Sequence, residues 1–257
     1  MEKYFVEKES IVRRIWGSSD TVLFIFAGAA AEFALNKAVD WLFFTGRLPA
    51  DPLARLFSTV SYARKIIFSE EKDAIEAIQQ INGIHKGVEQ NRGAAIPDWA
   101  YLDVLFLLID YSVRSFELLD RKLSVKEKSE IFDVFYRVGI IMNLKNLPPE
   151  YETYSSARDI NLRTNLENGD LTKKLYQQYK LHLGSIRFAI LVQVQLYLVP
   201  KAVKDQLFKG RKKRIALLID GYKALRYFHI SNPIKILLLP RRFKKQILAI
   251  DNSNRIK

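Results

Sequence analysis

The sequence predicts an all-α fold, a single multi-helix domain over residues 1–257 enclosing a buried pocket, with no substantial sheet. Three observations predict it. Apolar residues recur at helical spacing in one segment after another. The eight prolines gather at only six places, Pro49/Pro52, Pro97, Pro148/Pro149, Pro200, Pro233 and Pro240, and eleven glycines add little further punctuation. No stretch alternates apolar and polar residues with period two, and there is no internal repeat or low-complexity linker.

The elements follow in chain order. From Pro52, the residues Leu53, Leu56, Phe57, Val60 and Ile67 form one apolar face. Ala74, Ile78, Ile81, His85 and Val88 then recur at spacings of 4, 3, 4 and 3. Tyr101 to Leu119 is densely apolar apart from one polar stripe. Ser124-Val-Lys-Glu127 has the spacing of a capping box and opens a helix that continues through Ile131, Val134, Phe135 and Val138. Two more helices are predicted, from about Glu150 to Glu167 and from about Leu171 to Val199. Two amphipathic pieces follow, after Gly210 and after Pro240.

Charge is unevenly placed. Residues 1–200 carry 25 basic and 25 acidic side chains. Residues 201–257 carry 16 basic side chains against Asp205, Asp220 and Asp251, so 16 minus 3 accounts for the whole net charge of +13. There is no cysteine, which excludes disulfides, iron–sulfur clusters, thiolate nucleophiles and cysteine zinc sites. The opening Met1-Glu2-Lys3-Tyr4-Phe5-Val6-Glu7-Lys8-Glu9 is too acidic and polar for a signal peptide. The apolar runs Thr21–Ala31 and Phe188–Val199 fall short of the roughly 18–20 residues of a membrane span. The expected location is cytoplasmic, at most peripheral at a membrane.

Few residues invite chemistry. The three histidines, His85, His182 and His229, are far apart and form no HxxxH or ExxH pair, which argues against a carboxylate-bridged di-iron centre. No GxGxxG, GxxxxGK[ST] or GxSxG motif occurs. His85 lies on the apolar stripe of its helix with Glu89 one turn later, as a metal or haem ligand or as a core histidine bonded to a carbonyl. Arg55 and Thr59, one turn apart with Tyr62 nearby, suit an oxyanion, a carboxylate or a polarised oxygen, the alternative being a solvated helix face. Glu32 interrupts the apolar stretch Val22–Ala34, either at a helix edge facing water or as a paired buried acid with a functional, cofactor-binding role. Asp103, Asp110, Arg114 and Glu117, at spacings of 7, 4 and 3, read as a solvated stripe with an Asp110–Arg114 ion pair.

The order of several short segments resembles the latex-clearing-protein (rubber oxygenase) family, which includes the fungal ER-bound, MpaB-like oxygenases. The segments are Ser10-Ile-Val-Arg13-Arg14-Ile-Trp-Gly17, Ala50-Asp-Pro-Leu-Ala-Arg55-Leu-Phe-Ser-Thr59, Ile84-His85, Leu108-Ile-Asp110-Tyr-Ser-Val-Arg114-Ser-Phe-Glu117 and Leu123-Ser-Val-Lys-Glu127. The resemblance implies an all-α fold, a haem b on an axial histidine, and oxygenation of hydrophobic, isoprenoid- or lipid-like substrates with molecular oxygen. Carried over by residue, it implies His85 as the axial ligand, and hence the metal ligand, with Arg55 and Thr59 on the distal side. Two family histidines are replaced here, by Leu35 within Phe33-Ala34-Leu35-Asn36 and by Leu105 five residues before Asp110. The alternative is therefore a non-catalytic relative that has lost the cofactor and binds a hydrophobic ligand.

The basic end supports a further expectation. Arg211-Lys-Lys-Arg214 precedes Ile215-Ala-Leu-Leu-Ile219, and Arg241, Arg242, Lys244 and Lys245 mix with Phe243, Ile247 and Leu248. Basic residues beside an apolar helical face suit an anionic membrane surface. A plain solubilising surface and an adaptor for an acidic partner are the alternatives. Nucleic acid is disfavoured because no recognised motif accompanies the charge.

Overall fold

In the computed structural model, which describes residues 3–46, 50–227 and 243–252, the apolar run Thr21–Ala31 forms the middle of the molecule. A short helix α1 (Ile11–Trp16), capped by Ser10, leads into α2 (Ser19–Phe33), whose Ser18 side chain accepts from the Thr21 amide. Val22, Ile25, Phe26, Ala27, Ala29 and Ala31 are all buried, because α2 is enclosed on nearly every side. Hydrophobic all round, it lacks the one-sided stripe that marks a surface helix.

Next come α3 (Val39–Phe44) and α4 (Pro52–Phe68), which opens with Asp51 accepting from the Ala54 amide and proline in the first turn. Helix α5 (Glu71–Arg92) forms an antiparallel pair with α4 and ends at Gly93, whose φ of +70° requires the residue without a Cβ. Helix α6 (Asp98–Leu119) packs most extensively on α2. The predicted capping box opens α7 (Val125–Ile141): Ser124 Oγ accepts from the Glu127 amide at 3.3 Å, and Glu127 Oε2 accepts from the Ser124 amide at 2.8 Å. Ser124→Ala should destabilise the protein by about 1 kcal/mol in denaturant unfolding.

Helices α8 (Tyr151–Thr164), α9 (Asp170–Leu198), α10 (Lys201–Leu207), α11 (Ala216–Tyr227) and α12 (Lys244–Asn252) follow among the described residues. Pairing of β type among the described residues is limited to two isolated bridges, Tyr4–Glu70 and Asn36–Leu166. The principal core gathers Trp16, Ile25, Phe106, Tyr111, Phe116 and Ile131, and a second cluster includes Leu35, Leu162, Leu196, Val203 and Phe208.

Two features refine the expectations. Helix α9 has the length of a membrane span and an 18-residue stretch of mean hydropathy 1.3, but Gly184 at φ +75°, ψ 166° breaks it. Its halves, residues 170–183 and 185–198, are each shorter than the roughly 20 residues a span needs. The described part of the basic segment 201–257 packs against the rest of the domain. Phe243, Ile247 and Ile250 enter the principal core, and Phe243 stacks on Phe57 with ring centroids 4.0 Å apart. Asp251 accepts from the Ser19 amide and hydroxyl at 2.9 and 2.7 Å, while Arg226 reaches the Leu119 carbonyl. Arg241, Arg242 and His229, with the side chain of Leu56, lie outside the described residues.

Candidate functional site

Helical geometry builds the first part of the site from α4 alone. Residues four apart face the same way, so the Arg55 Nη1 donates to Thr59 Oγ1 at 3.1 Å and to Ser58 Oγ at 3.3 Å. Thr59 Oγ1 in turn donates to the Arg55 carbonyl at 3.2 Å. The neighbouring α5 supplies His85, whose imidazole meets the Tyr101 ring edge-on at 5.1 Å. His85 Nδ1 is buried and has no hydrogen-bond partner. Burial, and then the positive charge of Arg55, lowers the imidazole pKa to about 4, against the opposing pull of Glu89. The ring is therefore neutral at physiological pH, with a lone pair free on one nitrogen.

The surroundings hold this corner in place. Glu89 Oε1 accepts from the Ile96 amide at 2.9 Å and from the Tyr101 hydroxyl at 3.2 Å, tying the α5–α6 turn together. Burial and the Glu89 charge push the Tyr101 hydroxyl pKa up. At the end of α5, Arg92 donates to Asp40 at 2.6 Å and lies 3.9 Å over the Trp41 ring, which fixes α3. A cavity of about 240 Å³ opens on another face of α4, lined by Phe57, Val60 and Arg64 with Ile247 and Ile250 of α12. Arg55, Thr59 and His85 do not line it.

Glu32 belongs to a second constellation. Its contacts run to Arg158, at 2.5 and 2.6 Å, and to the Tyr111 hydroxyl at 2.9 Å, and not to His85, Arg55 or Thr59. It is the paired buried acid of the two alternatives, 3% exposed. Arg158 continues to Asp110 at 3.0 Å, and Asp110 accepts from Arg114 at 2.8 Å. Burial by itself would raise the Asp110 pKa, but the two guanidinium groups outweigh it and hold the carboxyl below its ordinary value. Burial would likewise lower Arg158, yet Glu32 and Asp110 hold it well above. The network joins α2, α6 and α8 in one charge-assisted lattice.

The polar stripe of α6 is thus not a solvated face. Asp103 is 3% exposed and accepts from the Asn36, Asn161 and Asn165 amides at 2.8, 2.6 and 2.9 Å. Burial raises its pKa, and these amides only partly restore the charged form. Glu117 is half-buried, between Lys122 at 2.7 Å and Lys128 at 3.0 Å. Arg158 is the residue that sequence reasoning passed over. Its signal was present: Tyr154, Arg158 and Leu162 are four apart on the buried side of α8, and a cation on an apolar stripe requires a counter-charge.

His85 is a residue that would hold a haem iron, although the 240 Å³ cavity does not border it. His85 offers a neutral ring with an orphaned buried nitrogen, and Arg55 with Thr59 places a cation and a hydroxyl on the adjoining helix. The two positions at which the resemblance implies family histidines carry leucines here. Leu35 is 1% exposed in the second core cluster, and Leu105 is 5% exposed in the principal core, against Gly139. Among the described residues no three His, Asp or Glu side chains converge as a metal site. No curated protein and no solved structure matches the chain. A family profile described as "ER-bound oxygenase mpaB/B'/Rubber oxygenase, catalytic domain" matches residues 13–224, spanning His85, Arg55, Thr59, Glu32, Asp110 and Arg158. By that match over most of its length, the chain belongs to the mpaB/rubber-oxygenase family of oxygenase catalytic domains.

Proposed function

We propose that this protein is a haem-dependent oxygenase acting on a hydrophobic, isoprenoid- or lipid-like substrate. The observation that carries the reading is the orphaned, neutral imidazole of His85 within the field of the Arg55–Thr59 pair, in a chain of an oxygenase family. Haem, when bound, would supply the activation of molecular oxygen. His85 would hold it, because a ligating imidazole must be unprotonated and burial keeps this one so. Arg55, steadied by the hydroxyls of Ser58 and Thr59, would place positive charge where an anionic or strongly polarised oxygen forms. Tyr101 and Glu89 would keep the imidazole's helix in register. The equal acidic and basic counts of residues 1–200 favour an apolar substrate over a polyanionic one.

A second reading, a relative that binds a hydrophobic ligand without redox chemistry, is favoured by the two buried leucines at family histidine positions, Leu35 and Leu105. One measurement separates the two. Protein expressed with a haem precursor should show a Soret band, and His85→Ala should abolish it while leaving the far-ultraviolet circular dichroism unchanged. A folded wild-type protein with no Soret band would exclude the oxygenase reading in favour of the second. A band retained in His85→Ala would remove His85 as the ligand.

A further inference from the structure

The structure divides the basic C-terminal segment into a part that is already used and a part that is not. The apolar side of α12 is consumed by the core, as Phe243, Ile247 and Ile250 are 5%, 1% and 3% exposed. Arg226 is engaged by Asp20 and Asp120, and Lys201 by Asp205 at 2.5 Å. The cations of the loop before α11 differ. Lys209, Arg211, Lys212, Lys213 and Arg214 are all exposed, and none forms an ion pair among the described residues.

That loop is fixed in position. Gln193 of α9 accepts from the Arg214 amide at 2.9 Å and donates to the Lys212 carbonyl at 3.4 Å, and Lys213 Nζ lies 4.6 Å over the Tyr197 ring. Seven residues before Gln193, and so on the same face of the helix, is Ile186, 79% exposed. It adjoins the elbow at Gly184, with Leu181 on the other side 74% exposed. Directly after the loop, Leu217 and Leu218 are 87% and 70% exposed, although Ile219 beside them is buried. Only 22% of the most apolar stretch of α9 is buried within the protein. Large exposed aliphatic side chains grouped this way mark an interaction surface.

We infer that the Gly184 elbow, the 209–214 loop and the start of α11 together form a docking surface for an anionic lipid bilayer. Five unneutralised cations complement lipid phosphates. Leu217 and Leu218 directly after the loop, and Leu181 and Ile186 flanking the elbow, are of the kind that enters the headgroup–acyl boundary. Single-stranded nucleic acid would call for exposed aromatic platforms, whereas Tyr197 already lies beneath Lys213. The broken α9 suits shallow insertion of its elbow, since neither half can span a bilayer. This goes beyond the oxygenase reading and holds with or without haem.

The test uses the full chain and co-sedimentation with phosphatidylcholine vesicles, with and without phosphatidylglycerol. Binding should require the anionic lipid. Each cation near the surface contributes about fivefold, so R211Q/K212Q/K213Q/R214Q should weaken binding by a hundredfold or more. L217S/L218S should weaken vesicle binding at least tenfold while leaving any binding to a single-stranded oligonucleotide unchanged, with an unaltered melting temperature as the folding control. Three results would overturn the inference: no wild-type binding to anionic vesicles, full binding by L217S/L218S, or an oligonucleotide bound more tightly than the vesicles.

Discussion

Replacing Arg158 by methionine is expected to destabilise the protein by about 3–5 kcal/mol, the cost of leaving a buried charge without its partner. Arg158 is 5% exposed and is the common counter-ion of Glu32 and Asp110, both drawn from other helices. Removing it leaves two carboxylates facing each other across a site with little access to water. The double variant E32Q/R158M should recover most of the loss, because it removes the buried Glu32 charge along with its counter-ion and leaves Asp110 paired with Arg114. Denaturant unfolding of the three proteins decides the point, and equal stability of R158M and wild type would refute the network's role. The pH dependence has a definite sign. The Asp110 pKa is lowered on folding, so its stabilisation is complete above the unfolded value of 3.8 and is lost as pH falls through the folded one. Arg158→Met shrinks that contribution, and the gap between variant and wild type should therefore narrow below about pH 4.

The second large effect concerns Gly28 of α2, which packs against the Tyr111 ring of α6. A Cβ there would lie 2.3 Å from two ring carbons of Tyr111, far inside contact distance. Tyr111 has nowhere to go, being fully buried with its hydroxyl on Glu32. Helix propensity alone predicts that Gly28→Ala stabilises by about 1 kcal/mol. The tertiary contact should reverse that sign and destabilise by about 1–3 kcal/mol, more for Gly28→Val. Gly221, in the middle of α11 with no atom within 4 Å of its Cβ position, is the natural control. Gly221→Ala should stabilise slightly, and thermal melts of the two alanine variants should move in opposite directions.

What could be read from the sequence was local. The capping box at Ser124–Glu127, the proline opening α4 and the Arg55–Thr59 pair each depend on residues three or four apart, whose proximity follows once a helix forms. The break in α9 was also local, at the Gly184-Ser185 pair, but a glycine inside a helical pattern is compatible with continuation and with a kink. Helix α2 escaped the periodicity argument because enclosure on all sides erases the stripe. Arg158 and Glu32 are 126 residues apart, and no spacing rule connects them.

The basic end shows the same division. Composition alone located the whole +13 in the last 57 residues, and the helical class, the absence of cysteine chemistry and the His85, Arg55 and Thr59 candidates came equally from the chain itself. Only the tertiary structure decided that Phe243, Ile247 and Ile250 belong to the core while Leu217 and Leu218 face outward. It also decided that Glu32, Asp103 and Asp110 are buried and satisfied, and that His85 Nδ1 is buried and not. The physical reason is common to all of these. A helix follows from neighbours along the chain, whereas burial and partnership depend on which distant face arrives, and packing alone determines that.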